Sequence, residues 1–132
     1  MAGYSGTALA RKLGIKDGSR VVAIDAPEHF PALVDGVEIR TQLRGKFDVI
    51  VFFTTERRRL ERRLAALRRA MEPDAGLWIA WPKRASRVPT DMTEDVVREV
   101  ALPTGLVDNK VCAIDETWSG LRLVIRKELR PQ

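Results

Sequence analysis

With 132 residues, 45% of them hydrophobic and 31% charged, the chain has the length of one domain and enough apolar content to bury roughly two-thirds of its unfolded surface in a core. A single cysteine excludes an internal disulfide, no basic start leads into an apolar segment, and no apolar run approaches membrane-spanning length, so a soluble cytoplasmic protein with no membrane association is expected. The net charge of +5, from 23 Lys and Arg against 18 Asp and Glu, is moderate, and much of the excess is gathered in Arg57, Arg58, Arg59, Arg62, Arg63, Arg68 and Arg69.

The first element expected is a short helix over 6–13, capped by Ser5, with Leu9 and Leu13 facing inward and Gly14 ending it. A turn over 15–19 feeds an apolar strand over 20–25. Pro27 suits the first turn of a second short helix, where its missing N–H is not needed, with Phe30, Leu33 and Val34 turned inward and Gly36 at its end. Residues 37–40 read as a brief strand near an edge. The apolar, β-branched and aromatic run over 47–53 is too short for a buried helix and suits a central strand covered on both faces. Thr54 or Thr55 is the expected cap of the next helix, in which Leu60, Leu64, Leu67 and Met71 recur at helical spacing. Pro73, Asp74, Ala75 and Gly76 read as its stop, and 77–81 as a second apolar strand that a right-handed crossover lays parallel to the first. The polar, basic stretch 82–89 reads as a loop. Asp91 with Glu94 three residues on has capping-box spacing for a helix presenting Val96, Val97 and Val100, closed by Pro103, Thr104 and Gly105. Strands over 110–114 and 121–126, joined around Ser119 and Gly120, complete an antiparallel hairpin.

This order of elements is α/β. Residues 13–21, Leu-Gly-Ile-Lys-Asp-Gly-Ser-Arg-Val, resemble the lead-in to the first strand of class I S-adenosylmethionine-dependent methyltransferases. The resemblance implies a three-layer Rossmann-like sandwich in one domain, 1–132, with a mostly parallel six-stranded sheet in the order 2-1-3-4-6-5 and a C-terminal antiparallel hairpin. Too little chain separates Arg40 from Phe47 for that family's usual extra helix and strand, so one edge is trimmed. Those enzymes follow the first strand with a glycine-rich turn, because a backbone without Cβ lets the cofactor lie close. Here 25–31 contain no glycine, and the second strand ends in Arg40 where an acid would hold the ribose. The chain also resembles a family of small bacterial proteins known as a domain of unknown function, number three thousand and fifty-two. That likeness rests on 77–83 (Leu-Trp-Ile-Ala-Trp-Pro-Lys), Gly105-Leu106-Val107, 118–122 (Trp-Ser-Gly-Leu-Arg) and Tyr4-Ser5-Gly6-Thr7, and implies no reaction.

In open α/β sheets, ligands sit beyond the carboxyl ends of the parallel strands. Here those ends carry Asp25, Glu28 and His29, then Thr54 and Thr55, then Trp81 and Lys83. Asp25, Glu28 and His29 mix acid and imidazole and could transfer protons, whereas the bland reading has Asp25 capping the Pro27 helix, Glu28 facing its positive end and His29 merely exposed. Trp81-Pro82-Lys83 could stack a flat ligand and pair its anion, or be a core tryptophan followed by a loop. One His and one Cys offer no recognised metal spacing, and Cys112 alternates within a strand as inert buried thiols do, so no metal, cofactor or catalytic residue is expected. Arg58, Arg62 and Arg69 carry a nucleic-acid reading, weighed against intervening glutamates and the usual fate of a charge run as a solvated face. A protein partner or self-association needs no motif. The sequence therefore favours a non-catalytic binding or regulatory module, whose strand-end crevice should be filled by Pro27, Phe30 and Trp81. The alternative is a small enzyme or sensor for a nucleotide-like ligand such as S-adenosylmethionine, which should show a closed polar pocket there.

Overall fold

In the computed structural model, which describes residues 7–131, six strands among the described residues form one sheet. They are β1 (Val21–Ile24), β2 (Ile39–Arg40), β3 (Phe47–Phe53), β4 (Met71–Pro82), β5 (Leu106–Ala113) and β6 (Trp118–Ile125). Their order is β2-β1-β3-β4-β6-β5. The first four are parallel, β6 runs antiparallel to β4, and β5 antiparallel to β6. This is the methyltransferase-like α/β arrangement expected from the order of elements, closing hairpin included.

Alternation along the central strands divides the core between the two faces of the sheet. Ile50 and Phe52 of β3, with Leu77 and Ile79 of β4, pack under α3 (Arg57–Arg69) and α4 (Glu94–Ala101), which bring in Leu60, Leu64, Leu67 and Val97. Val49, Val51 and Phe53, with Trp78 and Ala80, pack on the other face under α1 (Ala8–Lys12) and α2 (Phe30–Leu33), which contribute Leu9 and Phe30. Trp78 is fully buried, and its indole N–H donates to the Leu13 carbonyl at 3.0 Å, tying the end of the α1 segment to β4. Gly120 of β6 lies under that indole: a Cβ there would come within 3.1 Å of Trp78 Cε3 and 3.3 Å of Ile114 Cδ1. A side chain there would push the indole or Ile114 aside by a few tenths of an ångström, so glycine suits this close crossing of hairpin and tryptophan.

Several local expectations are corrected. The first helix is capped by Thr7, whose hydroxyl accepts the Ala10 N–H, while Ser5 lies outside the described residues. Pro27 precedes the second helix, which starts at Phe30 with His29 as its cap residue. Neither Thr54 nor Thr55 caps α3: the cap residue is Glu56, and Thr54 instead folds a tight turn by accepting the Glu56 N–H. Met71 does not extend the helical stripe but opens β4, and Pro73 to Gly76 do not interrupt that strand. Between the pairs Phe47↔Met71 and Val49↔Gly76 the ladder slips, so Pro73 sits in a wide bulge where its missing N–H breaks no pairing. Asp91 does not cap its own helix, where Thr93 accepts the Val96 N–H; it reaches across to accept the Arg57 N–H at 2.7 Å. Ser119 and Gly120 are inside β6 rather than at the hairpin turn, which lies between Ala113 and Trp118.

Candidate functional site: a half-closed crevice at the strand ends

The parallel strands β1, β3 and β4 end on one rim of the sheet, and the polar residues there are drawn into local pairs. Asp25, the first residue after β1, has φ 57°, the left-handed backbone that favours glycine. Its carboxylate pairs with the Arg59 guanidinium of α3, which also lies 5.7 Å from the Phe52 ring centroid. Thr54, 4% exposed at the end of β3, is engaged with both the N–H and the carbonyl of Glu56. His29 Nε2 meets Asp115 Oδ2 at 2.5 Å. Lys83, just past β4, donates its ammonium to the Asp115 carbonyl at 2.7 Å.

Asp115 organises this rim because it joins the β5–β6 turn to α2. One carboxylate oxygen accepts the Thr117 and Trp118 N–H groups at 2.8 and 2.7 Å, and the other meets His29. Partial burial pushes the Asp115 carboxyl up, but the bonds from His29, Trp118 and Thr117 outweigh it and hold the group below its ordinary carboxylate range. Beneath that latch three aromatic rings stand edge to face: Phe30 to Phe53 with centroids 5.1 Å apart, and Phe53 to Trp118 at 5.2 Å. On the α1–α2 face, rings and paired polar groups thus cover the ends of β3 and β4, whereas on the α3–α4 face the end of β4 borders a separate hollow of about 500 Å³.

Towards β1 and β2 the rim stays open. A cleft of about 520 Å³ lies there, within the range of small-molecule sites. Ala23, Pro27, Phe30, Pro31, Val37 and Ile39 give it apolar walls, and Asp25, Glu28 and Thr41 add polar groups. Glu28 is exposed and makes no bond to any described residue.

The structure gathers the residues singled out from the sequence only in part. Asp25 and Glu28 share the cleft; His29, Lys83 and Thr54 belong to the closed part of the rim. His29 is exposed, as the bland reading had it, but paired rather than free, and Asp25 binds Arg59 instead of capping a helix. Thr55 lends its backbone carbonyl to Thr90 and Asp91. Trp81, 7% exposed, faces the α3–α4 core and borders a separate hollow with Arg84, Thr90 and Met92. Of the three fillers expected, Phe30 fills the crevice, Pro27 lines the open cleft, and Trp81 stands on the opposite face of the sheet. From the sequence, Asp115-Glu116-Thr117-Trp118 reads as a hairpin loop or an interaction lip, and it is the β5–β6 turn; its place in closing the rim, with Phe53, is what the sequence does not show. Asp115-Glu116-Thr117-Trp118 did carry a signal, since an aspartate that accepts N–H bonds two and three residues on is an ordinary turn former.

Among the described residues no group of three His, Cys, Asp or Glu side chains comes together. Burial pushes the Cys112 thiol up despite Lys110 and Lys12 nearby, which keeps it protonated at neutral pH. No helix among the described residues is long and apolar enough to cross a membrane.

No protein-family profile and no curated protein matches the chain. Solved structures with the same fold include a ribosomal protein L11 methylase from Lactobacillus delbrueckii subsp. bulgaricus, 14% identical with a TM-score of 0.51, covering 90% of this chain and 64% of its own. A second is an S-adenosylmethionine-dependent methyltransferase from Clostridium acetobutylicum, 8% identical, TM-score 0.54, with 81% and 75% covered. A third is magnesium protoporphyrin IX methyltransferase from Synechocystis with bound S-adenosylmethionine, 12% identical, TM-score 0.53, with 80% and 59% covered. The chain thus spans less than two-thirds of the L11 methylase and of the protoporphyrin methyltransferase, and at these identities what is shared is the fold.

Proposed function

We propose that this protein is a non-catalytic binding module on a methyltransferase-like fold, taking a neutral or cationic nucleoside-like ligand in the cleft between β1 and β2. The observation that carries this reading is the split rim on the α1–α2 face: the cleft beside β1 and β2 is open and holds two carboxylates, whereas over β3 and β4 that face is covered by Phe30, Phe53 and Trp118 and latched by His29 and Asp115. Asp25, His29, Thr54 and Lys83 are engaged with partners within the fold, and Glu28 is left as the unpaired carboxylate that the cleft presents to a ligand. Affiliation with the small bacterial domain family of unknown function is part of this reading and adds no reaction to it.

S-adenosylmethionine, the cofactor that the fold implies, fits the cleft in size and charge though not through the usual elements. Bound, it would bring a methyl group activated on a sulfonium. Asp25 keeps the left-handed turn after β1 without the glycine, and Arg40, paired with Glu38, replaces the acid at the end of β2. The carboxylates come instead from the β1 side, Asp25 and Glu28, facing Thr41 and the apolar Val37 and Ile39. Glu28, unpaired beside an Asp25 whose charge Arg59 offsets, leaves the cleft with a net negative group that suits a sulfonium or a ribose hydroxyl and disfavours phosphate.

Thermal unfolding tests this. S-adenosylmethionine or adenosine at about a hundred times its dissociation constant should stabilise the protein by roughly 2.7 kcal/mol, a shift of several degrees, while ATP and NAD give none. Glu28→Lys should remove the shift without lowering the unliganded melting temperature, because Glu28 is exposed and unpaired. Stabilisation by the phosphorylated ligands alone, or by none of them, would refute the reading.

A further inference from the structure

The basic character of the chain resides in one helix. The thirteen residues of α3 hold seven arginines and one glutamate, a charge of +6, so of the chain's +5 the other residues together carry −1. Leu60, Leu64 and Leu67 turn one stripe of α3 into the core, which fixes where the arginines point. Arg57 lies on the α4 side, bonded to Glu61 at 3.1 Å and Glu99 at 2.7 Å, and Arg59 lies towards β1, paired with Asp25. Asp91 accepts the Arg57 backbone N–H. These flanking partners account for most of the acids around α3. Glu56, the exposed cap residue, makes no capping bond.

Arg58, Arg62 and Arg69 are left on the outer face, all exposed and with no hydrogen bond or ion pair to any described residue. Arg63 borders them in a shallow depression of about 290 Å³ that also touches Glu56, Arg58, Arg59 and Arg62. The first turn holds no acidic residue, so its arginines face the positive end of the helix dipole as well as each other. Nothing in the fold requires this row, and taken alone it works against the helix.

We propose that the outer face of α3 docks on the phosphate backbone of duplex nucleic acid, without reading its sequence. At 1.5 Å per residue, Arg58 and Arg62 stand about 6 Å apart along the axis and Arg69 about 16 Å from Arg58, long enough to face several successive phosphates. Every basic residue of α3 is an arginine, the side chain whose planar fork pairs with phosphate through two hydrogen bonds. No aromatic residue lies on this helix, so there is no platform for unpaired bases. Among the described residues the exposed large apolar ones are Val88, Leu102, Val111 and Leu129, none of them on α3, so the helix face has neither the wedge of a membrane-inserting helix nor the anchor of a protein interface.

The test is fluorescence anisotropy of the full chain on a labelled 20-base-pair DNA duplex of arbitrary sequence, titrated with salt. Three phosphate contacts predict a slope of log K against log salt of about −2.7, which weakens binding roughly fortyfold between 50 and 200 mM. Replacing Arg58, Arg62 and Arg69 together by alanine should cut affinity by at least about tenfold at low salt and flatten the slope. That variant should melt at the same or a higher temperature, which separates lost binding from lost folding. Duplex binding that survives the triple substitution, no duplex binding at 50 mM salt, or capture by anionic vesicles with the duplex ignored would each overturn the proposal. None of these outcomes depends on the β1–β2 cleft.

Discussion

Replacing Phe30 by alanine is expected to destabilise the protein by about 3–5 kcal/mol, the usual cost of emptying a well-packed aromatic site. Phe30 is 1% exposed, holds Phe53 edge to face at 5.1 Å, and forms the boundary between the closed crevice and the open cleft. Its removal takes away the first ring of the Phe30–Phe53–Trp118 series as well as its own burial, and α2 is too short to hold its place by its own hydrogen bonds. Urea unfolding should show a much lower midpoint with an unchanged m-value. A variant as stable as the parent would mean that the stack does not hold the rim closed. If the variant still folds in the cold, the cleft should extend towards β3 and the preference for small ligands should relax.

Asp115→Ala is the second large effect, expected at about 1.5–3 kcal/mol, because the carboxylate holds two turn N–H groups and His29 together. With Asp115 removed, the Thr117 and Trp118 N–H groups lose their acceptor and Lys83 keeps only the backbone carbonyl of a loosened turn. Asp115→Asn should cost less, since the amide oxygen still accepts from the turn. The pH dependence follows from the lowered carboxyl. A group whose folded pKa lies below its unfolded value stabilises fully above the unfolded value, about 3.9 for aspartate. That contribution is lost as the pH falls through the folded value. Acid unfolding of the parent should therefore include a contribution below pH 4 that the Asp115→Ala protein lacks; identical acid profiles would count against the latch.

The sheet was legible because its signals are backbone-periodic. The run over Phe47–Phe53 alternates between two buried faces, and the leucines of α3 mark a single stripe, so central strand and crossover helix follow, while the sheet order comes from the methyltransferase resemblance. The errors lie where residues act outside their own segment. Pro73 to Gly76 have the composition of a turn but are absorbed in a bulge by the slip against β3, which only the partner strand reveals. Asp91 has capping spacing for its own helix and caps α3 instead, a choice made by how α3 and α4 pack. The site was legible to the level of the rim: Asp25, Glu28, His29, Thr54 and Lys83 are at strand ends, as chain order dictates. Which of them face an open cleft was not, because closure depends on Asp115 and Trp118 arriving from a hairpin more than sixty residues beyond β3. The brief β2 hid the other wall, Val37, Ile39 and Thr41, since a two-residue strand has too little pattern to show which side faces β1's loop.

On the proposed reading a ligand enters beside β1 and β2 and meets no reacting centre beyond. The most direct measurement is a 1H–15N correlation titration of the labelled protein with S-adenosylmethionine, followed over hours for product. Shifts are expected at Ala26, Glu28, Val37, Ile39 and Thr41, with little change at Thr54, Thr55 and Lys83 and an intact ligand at the end. Shifts centred on Thr54, Thr55 and Lys83, or demethylated ligand accumulating only with the protein present, would contradict it.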